Sequence, residues 1–124
     1  MKKTFTILEI DSLKDLMYRS CIHDASITEI YPDFQSATVK INTRNRIFDK
    51  SINFLFEGVQ TFLFTKGTEV GSPQEILSLG IDEKDSIVSV YEKKTQGFLH
   101  IVFYMFCDDE YHIVAEYVTI DDNE

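Results

Sequence analysis

Apolar and polar side chains alternate along most of this chain, with the two-residue period of β-strands that bury one face. Residues 26–31 and 37–42 both alternate in this way, and the turn-forming run at 32–36 between them predicts a β-hairpin. A third alternating stretch follows a polar turn and places on one face Ile52, Phe54 and Phe56. Gly58 then predicts a bulge or bend before a further strand at 59–65.

The C-terminal part of the chain predicts three more strands, at residues 86–92, 98–106 and 111–120. The middle strand is apolar at both odd and even positions, so both of its faces have to be covered. This pattern is typical of a central strand. We expect the N-terminal helix to cover one face and a second layer of strands to cover the other.

Two short helices are predicted from capping residues and helical spacing. Asp11 or Ser12 can cap the first, whose inner face would carry Leu13, Leu16, Met17 and Ser20. The second is capped by Ser72, which precedes a proline suited to the first helical position, and Gly80 ends it. A helix over residues 73–79 is too short to be stable unless it packs on the sheet.

These elements predict a single α+β, mostly β domain over residues 1–124, with a polar tail at 121–124. We expect antiparallel sheet structure of about seven strands, curled or two-layered, with an N-terminal helix and a short helix near 73–79. The longest apolar run, at 101–106, is far below the roughly 20 residues of a membrane span, and no signal-peptide pattern follows Met1. No membrane contact is expected.

Twelve basic and twenty-one acidic side chains give the chain a net charge of −9. This charge repels nucleic acid and anionic lipid, so nucleic acid is not an expected partner. The same field would accelerate association with a basic protein, although acidity commonly serves solubility alone. Self-association into homo-oligomers through a sheet edge is a further alternative.

The two cysteines, Cys21 and Cys107, lie far apart, and no CxxC pair occurs, so the spacing of zinc ribbons and thioredoxin-type redox sites is absent. Both are interpreted as reduced, buried side chains, which favours a cytoplasmic location. The motifs GxxxxGK[ST], GxSxG and HExxH are also absent. No catalytic residue, metal or cofactor is therefore assigned.

The candidate functional cluster with the most reactive chemistry is Cys21, His23 and Asp24. A carboxylate can orient an imidazole, and a nearby thiol can act as a nucleophile or a ligand. The alternative is that His23 and Asp24 satisfy backbone groups where the helix ends and the first strand begins.

A second group of polar side chains lies in the predicted turn between the last two strands. It mixes soft and hard metal ligands and lacks calcium-loop spacing; its members are Cys107, Asp108, Asp109, Glu110 and His112. We interpret Asp108, Asp109 and Glu110 as a solvated turn and a candidate acidic interaction surface. His100 lies in the middle of a strand, where an ordinary satisfied or partly exposed histidine is expected.

The chain resembles small bacterial YxiG-like proteins, often grouped with the immunity proteins of polymorphic toxin systems. The resemblance lies in the run IHDASITEI at residues 22–30, which is similar to their opening LHDxxIxxI. Residues 54–59 resemble their hxFxxV strand, and residues 106–121 resemble their closing hairpin. The resemblance implies a β-rich bacterial protein with one N-terminal helix and no established chemistry.

Acidity, size and this resemblance together favour a non-enzymatic protein-binding module, in particular an immunity protein that neutralises a basic toxin. The alternative is a small enzyme or small-ligand carrier with a pocket near Cys21, His23 and Asp24. A concave cavity lined by these three side chains would favour the alternative.

Overall fold

The computed structural model describes residues 2–19, 22, 25–67, 75–81 and 97–123. Their elements are β1 (Lys2–Thr6), a 3₁₀ turn (Ile7–Glu9), α1 (Ile10–Arg19), β2 (Ser26–Asp33), β3 (Thr38–Asn45), β4 (Lys50–Thr65), β5 (Ile76–Ile81), β6 (Leu99–Met105) and β7 (Glu110–Asn123). All the strands belong to one antiparallel sheet that curls into a half-barrel. The predicted mostly β fold with an N-terminal helix is confirmed.

The strand order is β2-β3-β4-β7-β6-β5, with β1 also paired to β7. Strand β7 has β4 along its whole length on one side. Its other side pairs first with β6, over residues 110–115, and then with β1, over residues 117–121. The sheet therefore has two ends that share β4 and β7: one built with β5 and β6, the other with β1, β2 and β3.

The concave face of the sheet carries the hydrophobic core. Phe103 packs edge-on against Phe54, with ring centroids 5.2 Å apart, and against Phe56 at 6.4 Å. Leu13 and Met17 of α1 are buried in the same cluster. Burial of aromatic and aliphatic surface on this scale is the main favourable term in folding.

The prediction that residues 98–106 form an interior strand is confirmed. Leu99, Ile101 and Phe103 of β6 are buried in the core, and His100 and Val102 are buried on the opposite face. Adjacent side chains of a strand point to opposite faces, so both faces of β6 are covered. The expected second layer of strands is wrong for the described residues, because their strands form one curled sheet.

Strand β4 is irregular at and just after Gly58, where the sequence predicts a bulge or bend. Its 16 residues would reach about 53 Å if straight, which far exceeds the radius of gyration of about 14 Å for a chain of this length. Gly58 has φ +62°, and the pairing with β7 shifts by one residue between Val59 and Thr61. A β-carbon on Gly58 would lie 2.7 Å from Cγ of Glu116, so glycine is needed there. The bulge does not end the strand, and residues 52–56 and 59–65 form one strand.

The predicted short helix over residues 73–79 is wrong. Residues from Ile76 onwards form β5, which pairs with β6 from Ile76↔Met105 to Ile81↔Ile101. A one- or two-turn helix is marginal by itself, whereas pairing with an interior strand satisfies backbone groups on both. The cap signal at Ser72 and the strand predicted at 86–92 lie outside the described residues.

Two further differences concern the ends of the chain. The polar tail predicted at 121–124 starts inside a strand, since Asp121 pairs with Lys2 and residues up to Asn123 belong to β7. The helical segment is capped earlier than Asp11 or Ser12, by Thr6, whose hydroxyl accepts from the Leu8 amide at 3.2 Å while Glu9 completes a capping box.

Within the described residues, no helix is both long and apolar enough to cross a membrane.

Candidate functional site

The predicted cluster Cys21, His23 and Asp24 lies outside the described residues. Its flanking residues Ile22 and Ala25 are buried, and the Ala25 amide donates to the Ile22 carbonyl at 3.0 Å. A functional role for the cluster therefore stays a prediction.

The predicted acidic turn divides into one exposed, one buried and one half-buried acid. Asp108 is exposed, with φ +69°. Asp109 is buried, and its carboxylate accepts from the Gly67 amide at 2.7 Å and contacts Nζ of Lys66 at 3.1 Å. Hydrogen bonds from the Cys107 thiol, the Gly67 amide and Lys66 hold the pKa of Asp109 below its usual range.

The predicted acidic interaction surface is wrong at Asp109, because the buried carboxylate of this residue joins the turn to the end of β4. Cys107 is a free, buried thiol, as predicted for that residue. Glu110 is half-buried and bonds to a histidine. Of the three acids, only Asp108 is exposed, and this turn is not a continuous acidic patch.

A chain of three polar side chains crosses β6 and β7 on the convex face. Nε2 of His100 lies 2.9 Å from Nδ1 of His112, and Nε2 of His112 lies 2.8 Å from Oε1 of Glu110. Both histidines are almost fully buried. One imidazole must donate and the other accept along this chain, which satisfies two buried polar rings.

Only part of this hydrogen-bonded arrangement of His100, His112 and Glu110 can be predicted from the sequence. Glu110 and His112 are two residues apart, so alternation puts them on the same side of a strand. The contact with His100 depends on the register, in which His112 pairs with Val102 and His100 with Val114. Among the described residues, no group of three or more potential ligands is arranged to hold a metal ion.

The convex side of the sheet at the β1, β2 and β3 end, called here the open face, is partly exposed to solvent. One row of paired residues runs across five strands and consists of Tyr31, Lys40, Leu55, Thr119 and Thr4. Tyr31 is 53% exposed and Leu55 is half-buried. A β-sheet face of this kind is rigid, because every strand within it is held by ladder hydrogen bonds.

Around this row, acidic side chains outnumber basic ones by four to three. The carboxylates on the open face are those of Glu29, Asp33, Glu57 and Asp121, and the cations are those of Lys2, Lys40 and Arg44. Arg44 is neutralised by an ion pair with Asp49. The Tyr31 hydroxyl donates to the Glu29 carboxylate, and this hydrogen bond raises the pKa of Tyr31.

A cavity of about 430 Å³ lies between α1 and β5. Its described lining is mostly apolar and consists of Lys14, Met17, Tyr18, Ile22, Leu79, Gly80 and Ile81. Cavities of this size hold small ligands. Because its walls come from a helix and from a strand about sixty positions further along the chain, sequence periodicity could not locate it.

Comparisons with known proteins add the fold and no chemistry. No protein-family model matches the chain, and no curated protein matches it significantly. An uncharacterized protein from Neisseria gonorrhoeae has a similar crystal structure, with a TM-score of 0.55 over 98% of this chain and 97% of that one. The two chains are 12% identical, so the likeness concerns the fold alone.

Proposed function

We propose that this protein is a non-enzymatic binding module whose open face contacts a basic protein, in the manner of an immunity protein that neutralises a toxin. The observation that carries the proposal is the rigid, half-exposed sheet face with Leu55 near its middle, Tyr31 on its edge strand β2, and four carboxylates around them. Tyrosine is enriched in protein interfaces, where it gives a large contact area for little loss of side-chain entropy.

The electrostatics suit such a partner. A net charge of −9 attracts a basic protein over several ångströms and accelerates the encounter, and salt screens this attraction. The carboxylates on the open face would then pair with cations at the rim of the contact.

The face of the sheet suits a contact better than its β2 edge does. That edge contains Pro32, which has no amide hydrogen, and a register shift between Ile27 and Glu29. Proline, bulges and charged side chains are the features by which proteins discourage strand addition at an edge. Self-association through β2 is correspondingly disfavoured.

The open face alone is smaller than a standard interface. Five strands about 4.8 Å apart and about six residues along each give a flat area of about 400 Å². A standard interface buries about 800 Å² on each partner. A stable complex therefore needs an adjoining surface, and the β2–β3 turn lies next to the open face.

We expect Tyr31→Arg to weaken binding to a basic protein encoded beside this one by about tenfold or more, because it removes an aromatic contact and adds a like charge. The measurement is a low-salt pull-down followed by titration calorimetry. Tyr18→Arg is the matched control: Tyr18 is 91% exposed on α1, away from the open face. Failure to bind such a protein at low salt, or equal effects of the two variants, would contradict the proposal.

A small-ligand carrier is the second candidate, and the cavity between α1 and β5 favours it. Ile22, which lies between two residues of the predicted cluster, lines this cavity. We expect saturable binding of n-decanoate by calorimetry that is lost in Ile81→Trp, which fills the cavity, and retained in Leu77→Trp, at an exposed position of the same strand that is not among the lining residues. Equal binding by the two variants would exclude the cavity as the site.

A further inference from the structure

A small pocket lies at the end of the β2–β3 hairpin, where the turn meets β4 just beyond its bend. Its volume is about 140 Å³. Its walls include the apolar side chains of Pro32, Val39, Val59 and Phe62. Pockets for drug-sized ligands start at about 300 Å³, so this one fits a single side chain better than a cofactor.

The pocket carries an ionised carboxylate. Asp33 is exposed, and its Oδ1 accepts from the amides of Gln35 at 3.0 Å and Ser36 at 3.4 Å. Hydrogen bonds from the Ser36 amide, the Ser36 hydroxyl and the Gln35 amide hold the pKa of Asp33 below its usual range. Because a carboxylate has about four acceptor positions, Asp33 can still accept from a ligand.

An exposed aromatic ring stands next to the carboxylate. Phe34 also lines the pocket and is 90% exposed. An exposed phenyl ring attracts a cation to its face, and a planar guanidinium can stack on it.

The pocket is built from a fixed backbone. The Val59 amide donates to the Ala37 carbonyl at 2.8 Å, which ties the hairpin turn to β4. Ala37 has φ +54° and Gly58 has φ +62°, so two uncommon backbone conformations meet at this point. A preformed site of this kind loses little entropy when it binds.

We propose that this pocket binds an arginine side chain of the protein partner, with the aliphatic stem between the apolar walls and the guanidinium between Asp33 and Phe34. Long basic side chains bury their stems and keep their charged ends near water, as this geometry requires. Arginine fits better than lysine because its planar group can stack on a ring and donate to a carboxylate at the same time. The statement that this arginine belongs to a protein partner rests on the proposed function.

Its position supports this assignment. Asp33 lies in the outermost row of the open face, where it pairs with Thr38. Pro32 and Val39 alternate with Tyr31 and Lys40, so these walls of the pocket lie on the side of the sheet opposite the open face. A partner that covers the open face would reach the pocket by extending past Asp33 around the end of the hairpin.

The test is an NMR titration with N-acetylarginine methylamide, with the citrulline analogue as a neutral probe of nearly the same shape. We expect saturable shifts in the amides of residues 35–38 and 59–61 with the arginine probe, and binding at least fivefold weaker with the citrulline probe. Asp33→Asn should weaken arginine binding at least fivefold, because asparagine keeps the turn-capping oxygen and loses the charge. Phe34→Leu, at an exposed position, should weaken it by two- to threefold.

Asp49→Asn is the matched control, since it removes an acid from the turn between β3 and β4, at the other end of the hairpin strands. It should leave the titration unchanged. Equal binding of the two probes, or equal effects of Asp33→Asn and Asp49→Asn, would overturn the proposal. If Asp33→Asn does not fold, Phe34→Leu and the probe pair decide the outcome. The titration needs no protein partner, so failure of the pocket is distinguishable from failure of the open face to bind a basic protein.

Discussion

Replacing Phe103 with alanine should lower the free energy of unfolding by about 3–5 kcal/mol. Phe103 is fully buried and touches the rings of both Phe54 and Phe56. Alanine would remove those contacts and leave a cavity in the middle of the concave face, where strands on both sides prevent collapse. Because a domain of this size is stable by about 5–15 kcal/mol, the loss would be a large part of the total.

The measurement is urea denaturation followed by circular dichroism, with Phe34→Ala as the matched control. Phe34 is 90% exposed, so its replacement should change stability by no more than about 0.5 kcal/mol. If the two substitutions shifted the urea midpoint equally, β6 would not be the interior strand of the sheet.

The second large effect is expected at the histidine pair. His112→Ala should cost about 2–4 kcal/mol, because it creates a cavity and removes a hydrogen-bond partner from His100 and from Glu110. Glu110→Gln keeps an acceptor oxygen at a half-exposed position and should cost less than about 1 kcal/mol.

A double-mutant cycle with His100→Ala isolates the contact between the two rings. Since each single variant leaves the other imidazole without that bond, the double variant should cost less than the sum of the two, by about 0.5–3 kcal/mol. Additive free energies in the same urea measurements would show that the 2.9 Å contact carries no coupling.

Some features of the fold could be predicted because they depend on local patterning. Alternation at Ile52, Phe54 and Phe56 identifies the buried face of β4, and the doubly apolar stretch of β6 identifies the interior strand. The hairpin of β2 and β3 follows from two alternating stretches joined by turn residues. In each case the positions of the apolar side chains indicate which face of the strand is buried.

Local sequence signals predict the wrong element, or none, where pairing between strands determines the structure. The residues from Ile76 onwards follow a helix cap, yet they form β5 beside β6. Strand β1 carries no strong alternation and exists because β7 offers it a partner edge, from Lys2↔Asp121 to Thr6↔Tyr117. The energy of a β-ladder depends on the partner strand, and the sequence distance to that strand is not fixed by local residues.

The same distinction between local sequence and tertiary structure applies to the candidate sites. The sequence by itself determined the charge of −9, the β-rich class, the interior position of β6 and the hairpin that carries Asp33 and Phe34 at its end. Only the tertiary structure decided that Asp109 is buried against Lys66, that His100 meets His112, and that Val59 closes a pocket beside Asp33. The reason is physical: periodicity records which side of a strand is buried, whereas contacts between strands depend on register and curvature, which are set by the whole sheet.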